Sequence, residues 1–181
     1  PPASTYKVIT AMAGLEEGVI NENTTFTCIG HLPYGNRTFR CWRKIGHGSV
    51  NVVKALASSC DVFFYQVGIR LGIDRLAAYA KKCGLGNPTG IRLDHEAAGL
   101  IPTADWKKKR FGVSWQGGET LSVAIGQGYN LTTPLQMLVL TAAVASDAKL
   151  RRPLIVKHIE TADGMVTHPS LPEVIGHLPA S

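Results

Sequence analysis

The stretch that decides the fold is PPASTYKVITAMAGLEEGVI, residues 1–20. An apolar run begins at Lys7 and Gly18 follows its end, so the pattern predicts a buried helix over residues 4–17. Positions three apart share one face of a helix, which brings the Ser4 hydroxyl and the Lys7 amine together. A lysine beside a serine can act as the general base that activates the hydroxyl. Ser4 and Lys7 are therefore candidate catalytic residues.

The Ser-x-x-Lys spacing is a weak signal by itself. About one match is expected by chance in a chain of this length, and a second one occurs at residues 146–149. Serine–lysine sites also use a second hydroxyl close to an amide or a carboxylate. Two segments offer one: residues 49–51 (Ser-Val-Asn) and residues 59–61 (Ser-Cys-Asp). Spacing alone slightly favours the first, although Ser49 can equally cap the next helix.

Composition and charge narrow the class of protein. The 181 residues are 45% hydrophobic and 18% charged, which suits one globular domain and excludes a disordered tail. The longest apolar stretches fall well short of the ~20 residues of a membrane span. The net charge is +6, with its densest run at residues 107–110. We expect this run to be the solvated end of a short helix, and we expect no nucleic-acid partner.

The remaining pattern predicts a mostly helical body with few strands. Residues 21–49 are irregular, with strand-like pieces in TTFTC and RTFRCW. Thr103 and Thr133 are predicted helix caps. Further helices are predicted at about 50–58, 62–71 and 74–82 and after Thr133, with a turn into a short strand at 87–93 and a hairpin at 154–168.

Three cysteines and one histidine form a candidate metal site: Cys28, Cys41, His47 and Cys60. Zinc commonly binds such a Cys3His set, and a loop so poor in apolar residues needs a staple. The spacings are wider than those of zinc fingers. A Cys28–Cys41 disulfide and unlinked, buried thiols remain alternatives on spacing alone.

Five segments together resemble the transpeptidase domain of class B penicillin-binding proteins, of the cell-elongation (penicillin-binding protein 2) type. Residues 1–20 resemble the catalytic helix, whose consensus is roughly Pro-Gly-Ser-Thr-Phe-Lys. The others are SSCDVFFYQVGIRLGIDRL, CGLGNPTGIRL, GLIPTADWKKKRFG and WQGGETLSVAIGQGYNLTTPLQM. The match is collinear from Pro1 to about Pro153, which makes it far more specific than any single motif.

The resemblance implies a catalytic site made of Ser4, Lys7, Ser59 and Asp61, with residues 49–51 as a decoy. Asp61 stands where many relatives carry Asn. The implied reaction is acyl transfer at D-Ala-D-Ala stem peptides of peptidoglycan, with Ser4 as nucleophile, Lys7 as base and Ser59 as proton relay. β-Lactam antibiotics would acylate the same serine. No cofactor is expected for catalysis.

The resemblance also implies an incomplete α/β fold. No Lys-Thr-Gly, Lys-Ser-Gly or His-Thr-Gly occurs in the chain, although the family's third motif lies on a strand of the central sheet. We therefore expect residues 1–181 to be a partial transpeptidase domain, a mostly helical fragment of the penicillin-binding protein and serine β-lactamase-like fold. Most of the central sheet would be missing and the fragment alone would be inactive.

For the parent protein, the resemblance implies the bacterial periplasm or extracytoplasmic face, anchored by an N-terminal segment absent from this chain. Glycan-polymerising and elongation-complex membrane proteins are the implied partners. Some relatives carry zinc in this region, and the match of Cys41, His47 and Cys60 favours zinc, with Cys28 the least certain ligand. Alternatives from other classes are a serine β-lactamase or β-lactam sensor of the same fold, and a non-catalytic zinc-stapled module.

Overall fold

The computed structural model describes residues 1–167 and 171–179. After a short 3-10 helix at Ala3–Tyr6, the described chain contains seven α-helices and eight short strands. The helices are α1 (Lys7–Glu16), α2 (Val52–Ala57), α3 (Asp61–Leu71), α4 (Ile73–Lys82), α5 (Ala104–Phe111), α6 (Gly117–Ala124) and α7 (Pro134–Val144). The strands are β1 (Phe26–Cys28), β2 (His31–Tyr34), β3 (Arg37–Arg40), β4 (Gly48–Val50), β5 (Lys149–Arg151), β6 (Ile159–Glu160), β7 (Val166–Thr167) and β8 (Val174–His177).

Helix α3 lies at the centre of the core and packs against α1, α4 and α6. Phe63 and Phe64 are completely buried, because α3 is apolar on nearly all sides. Gly68 allows α6 to approach closely, since a Cβ there would lie 2.5 Å from the Ala124 Cβ. The close packing of α1, α3 and α6 fixes the positions of the side chains that α1 and α3 carry.

The strands add little to this core. They form four antiparallel pairs, β1–β4, β2–β3, β5–β8 and β6–β7, and the described residues hold no larger sheet. A two-stranded pair is only marginally stable alone, so these pairs depend on the helices beside them. The predicted fold class, a mostly helical part of an α/β fold with few strands, is confirmed.

Several local predictions are confirmed. The predicted helix at 4–17 is the 3-10 turn followed by α1. Thr103 accepts a hydrogen bond from the Trp106 N–H at the start of α5, and Thr133 accepts one from the Gln136 N–H at the start of α7. The tail hairpin forms as β6–β7. It is shorter than predicted, and the last residue of the predicted stretch, His168, lies outside the described residues.

Other local predictions are wrong. Residues 87–93 form turns and bends without a strand. Helix α6 was not predicted from the sequence, because its first turn carries Gly117 and Gly118, which disfavour helices. The basic run is not uniformly solvated either: Lys107 is buried and its Nζ lies 2.6 Å from both carboxylate oxygens of Glu119. A short sequence run cannot show that a later helix supplies this partner.

None of the described helices has the length and apolar composition that crossing a membrane requires.

Candidate active site and metal centre

Ser4 and Lys7 meet as the spacing predicts. Ser4 is exposed in the 3-10 turn, whereas Lys7 begins α1 and is only 2% exposed. The Lys7 Nζ donates a hydrogen bond to the Ser4 Oγ over 3.1 Å. The long lysine side chain therefore runs through the core and ends under an accessible hydroxyl.

The segment before α3 completes a polar cluster around Lys7. The Lys7 Nζ lies 2.9 Å from the Ser59 Oγ, 3.0 Å from the Ser59 carbonyl oxygen and 2.6 Å from the Asp61 Oδ1. The Ser59 hydroxyl donates to the Ser4 Oγ over 2.9 Å. Two hydroxyls and one amine thus form a triangle with sides of 2.9 to 3.1 Å, and Asp61 closes it as the ion-pair partner of Lys7.

The decoy segments lie elsewhere. Ser49 belongs to β4, and the Asn51 Oδ1 accepts the Lys54 N–H as the cap of α2. Ser146 follows α7 and donates its hydroxyl to the Ala142 carbonyl. Neither segment is brought to Lys7, so the structure groups the four residues that the resemblance selects.

Ser59 has an unusual backbone. Its φ is +51°, in the left-handed region that favours glycine. It stands just after α2, with the Ser59 N–H bonded to the Leu56 carbonyl and the Cys60 N–H bonded to the Ala55 carbonyl. This is the Schellman arrangement, in which glycine usually occupies the Ser59 position. Strained residues of this kind cluster at functional sites, and here the strain presents the hydroxyl to Ser4 and Lys7.

The segment around Ser4 is held from the other side by the end of α6 and the turn that follows it. The Ala3 N–H donates to the Gly126 carbonyl over 2.9 Å, and the Thr10 hydroxyl donates to the Ala124 carbonyl over 2.8 Å. A Cβ at Gly126 would lie 2.1 Å from the Ala3 carbonyl oxygen, so only glycine permits this approach. The backbone next to Ser4 is therefore fixed by close packing.

Two aromatic residues at the site were missed in the sequence. The Phe64 ring centroid lies 5.8 Å from the Lys7 Nζ, within range of a cation–π contact. The Trp42 backbone N–H donates to the Asp61 Oδ2 over 3.0 Å, and its indole N–H faces the carbonyls of Ser58 and Ser59. Neither residue belongs to a spacing motif, so no pattern in the sequence marks them.

The four candidate metal ligands form a second cluster. One donor atom from each of Cys28, Cys41, His47 and Cys60 lies within 4.8 Å of every other. The His47 Nδ1 is 3.6 Å from the sulfurs of both Cys28 and Cys41. A tetrahedral zinc ion, with Zn–S near 2.3 Å and Zn–N near 2.0–2.1 Å, would separate sulfur and nitrogen by about 3.6 Å. The donor set therefore fits zinc in chemistry and in spacing.

Burial is the main cause of the pKa shifts in this cluster. Burial, with a smaller contribution from the neighbouring Cys28, raises the pKa of the Cys60 thiol to about 12. Burial also lowers the pKa of His47, helped by Arg43, which keeps the imidazole neutral as metal ligation requires. All four cysteines are free thiols, so Cys28 and Cys41 are not joined by a disulfide.

Residues 1–177 match the family model described as the penicillin-binding protein transpeptidase domain. The chain belongs to this transpeptidase family. The predicted resemblance is thereby confirmed, including its type, because the relatives named next are of the penicillin-binding protein 2 and MrdA kind.

Curated members of the family share this sequence closely. The peptidoglycan D,D-transpeptidase MrdA of Haemophilus influenzae is 45% identical over 164 residues, which cover 90% of this chain and 25% of the relative. MrdA of Escherichia coli K12 is 44% identical over 155 residues, covering 84% of this chain and 24% of the relative. The chain thus spans about a quarter of the length of these transpeptidases.

Solved transpeptidase structures share the fold. Penicillin-binding protein 2 of Helicobacter pylori, in complex with MreC, has a TM-score of 0.82 and 41% identity over 85% of this chain and 29% of that one. Penicillin-binding protein 2 of Pseudomonas aeruginosa, in complex with WCK 5153, has a TM-score of 0.82 and 36% identity over 98% of this chain and 40% of that one.

Proposed function

We propose that these residues carry the acyl-transfer centre of a peptidoglycan D,D-transpeptidase. The observation that supports it best is the triangle of Ser4 Oγ, Lys7 Nζ and Ser59 Oγ, with sides of 2.9 to 3.1 Å. A nucleophile, its base and a proton relay are thereby within hydrogen-bond reach of one another. The similar proteins named peptidoglycan D,D-transpeptidase supply the substrate class.

Acylation follows from this geometry. The Ser4 Oγ attacks the carbonyl carbon of the penultimate D-Ala while its proton passes to the Lys7 Nζ. Asp61, 2.6 Å from that nitrogen, stabilises the ammonium that results. As the peptide C–N bond breaks, the Ser59 hydroxyl gives its proton to the leaving D-Ala nitrogen and regains one from Lys7.

The acyl-enzyme then needs an acceptor. An amine of a neighbouring stem peptide attacks the ester carbonyl and loses a proton to the base. As the C–O bond to Ser4 breaks, the Ser4 oxygen takes a proton back from the base, and the new amide bond is the cross-link. Water in place of the amine gives carboxypeptidase activity by the same steps. A β-lactam acylates Ser4 in the same way, but its leaving nitrogen stays tethered, so the ester persists.

Labelling with a fluorescent penicillin tests this proposal in the full natural chain that carries these residues. We expect covalent label on the wild type, none on Ser4→Ala, and unchanged labelling of Ser146→Ala, which alters only the decoy Ser-x-x-Lys. Label that survives Ser4→Ala would refute the nucleophile assignment. Rapid loss of the label would favour the alternative, a serine β-lactamase, which deacylates within its catalytic cycle.

The setting of the reaction is also part of the proposal. We propose that residues 1–181 form part of a transpeptidase domain that works at the extracytoplasmic face of the membrane. Since they contain no Lys-Thr-Gly, we expect the isolated 181-residue chain to react far more slowly with penicillin than the full natural chain. Relatives solved with MreC and in a peptidoglycan synthase complex suggest elongation-complex and glycan-polymerising proteins as partners.

We further propose a structural zinc ion at Cys28, Cys41, His47 and Cys60. Three thiolates and the His47 Nδ1 would hold it, and the ion would supply charge that lets the buried thiols ionise. It would also join β1, the end of β3 and the start of α3 at one point. Cys60 lies between Ser59 and Asp61, so the site would help to fix residues 59–61, the Ser-Cys-Asp segment, hereafter the second motif.

Metal analysis of the purified protein tests the zinc proposal independently of activity. We expect about one zinc per chain, a large loss of zinc in Cys28→Ala, and no loss in Cys83→Ala. Cys83 is the matched control, because it is equally buried but lies outside the cluster. Protein without zinc that contains a Cys28–Cys41 disulfide by mass spectrometry would refute the metal site.

A further inference from the structure

We propose that Trp42 is a positioning residue that holds Ser59 in reacting geometry through its indole N–H. The inference rests on the proposed acyl-transfer function. Trp42 follows β3 and lies in the loop between Cys41 and His47, far in sequence from the turn that carries Ser59. Nothing in the proposed chemistry requires a tryptophan at this position.

The hydrogen bonds that Trp42 donates all reach the segment 58–61. Its indole Nε1–H is shared between the carbonyl oxygens of Ser58, at 3.0 Å, and Ser59, at 3.1 Å. Its backbone N–H donates to the Asp61 Oδ2 over 3.0 Å. One residue therefore ties both ends of the second motif, and only the contacts to Ser58 and Ser59 need the side chain.

Ser59 needs such support because its backbone is strained. A serine at φ +51° is held there by its surroundings and not by its own preference. The Ser59 carbonyl, which the indole N–H reaches, also accepts the Lys7 Nζ at 3.0 Å. Removing the indole donor would let the Ser58–Ser59 peptide turn, which would move the Ser59 Oγ away from its place 2.9 Å from the Ser4 Oγ.

The exposure of Trp42 separates this role from ordinary packing. Trp42 is 65% exposed, and its ring makes an edge-type contact with His47 at a centroid distance of 5.3 Å. Such a ring contributes little to a core, yet its single polar atom is bonded to the backbone of the second motif. A competing interpretation is that the exposed face binds substrate, and the experiment distinguishes the two.

The test measures acylation by a penicillin in the full natural chain. It separates the acylation rate constant k2 from the dissociation constant K of the non-covalent penicillin complex that forms first. Trp42→Phe removes the indole N–H and keeps both the ring and the backbone N–H. We expect k2 to fall about tenfold, the size of one lost hydrogen bond, with K unchanged. Trp106→Phe is the matched control, because Trp106 lies in α5 and packs against Phe111 and Tyr129. Both k2 and K should stay at wild-type values in this variant.

A double-mutant cycle shows whether Trp42 acts through Ser59. Intact-protein mass spectrometry follows acylation over hours, so slow variants remain measurable. In a Ser59→Ala background we expect Trp42→Phe to change k2 less than twofold, since the hydroxyl it positions is gone. Equal losses in both backgrounds, an unchanged k2, or a rise in K alone would overturn the proposal. A wild type that is not acylated at Ser4 would instead refute the proposed function.

Discussion

Replacement of Gly126 by alanine should displace Ser4, the proposed nucleophile, through its neighbour Ala3. Gly126 has a φ of +71°, and an added Cβ would lie 2.1 Å from the Ala3 carbonyl oxygen, 2.7 Å from the Tyr6 Cβ and 2.9 Å from the Ala3 carbonyl carbon. Real Cβ atoms essentially never approach below 3.0 Å. Ala3 must therefore move by about 1 Å, and Ser4 is the next residue in the chain.

The size of the effect follows from two separate costs. A left-handed φ at a non-glycine residue costs roughly 1–2 kcal/mol of stability. A misplacement of about 1 Å between reacting groups can lower a rate about 100-fold. We therefore expect Gly126→Ala to be destabilised by at least the first amount and to be acylated by penicillin about 100-fold more slowly than the wild type.

The matched control is Gly112→Ala, which separates the two costs. Gly112 ends α5 with the same φ of +71°, but a Cβ there meets nothing within 4 Å. It should lose stability in thermal unfolding yet retain the wild-type acylation rate, measured below the unfolding temperature of both variants. Wild-type acylation by Gly126→Ala, or an equal loss in Gly112→Ala, would show that packing at Ala3 does not set the position of Ser4.

Two further predictions concern stability. Lys107→Ala should lower the free energy of unfolding by about 3 kcal/mol, because it leaves Glu119 without its buried ion-pair partner, whereas Lys108→Ala should change it little in the same urea titration. Burial raises the pKa of the Cys83 thiol to about 12, while an unfolded thiol ionises from about pH 8.5, so the free energy of unfolding should fall as pH rises from 8.5 toward 12. Cys83→Ala should flatten that fall, and an unchanged slope would contradict the assignment.

The sequence predicts the contact between Ser4 and Lys7 well because the signal is local. Ser4 and Lys7 lie one helical turn apart, so a correct helix is enough to bring them together. The choice of Ser59 over Ser49 is different, since it depends on α3 packing against α1. Spacing slightly favoured Ser49, and only the collinear resemblance selected Ser59. A contact between residues more than fifty positions apart leaves no periodicity to read.

Helix α6 was missed for a related reason. Its first turn contains Gly117 and Gly118, which indicate a loop when propensity is considered alone. Both glycines let the β2–β3 hairpin pack closely on α6. A Cβ at Gly117 would lie 2.3 Å from the Tyr34 hydroxyl, and one at Gly118 would lie 3.1 Å from the Phe39 ring. Tertiary packing here overrides helix propensity, and the Gln116–Glu119 capping box was the one available local signal.

Residues 59–61 belong both to the polar cluster around Lys7 and to the cluster of candidate metal ligands. Ser59 is left-handed, Cys60 is extended and Asp61 begins α3, so the side chains on either side of Cys60 both reach Lys7. Cys60 itself contributes its thiol to the cluster with Cys28, Cys41 and His47. A zinc ion bound to the Cys60 thiol, as proposed, would therefore restrain both Ser59 and Asp61, because each is joined to Cys60 by one peptide bond. Trp42, placed between Cys41 and His47, reaches the same segment from outside through its hydrogen bonds. With zinc bound as proposed, Cys60 would thus be a second restraint, beside Trp42, on the strained backbone of Ser59.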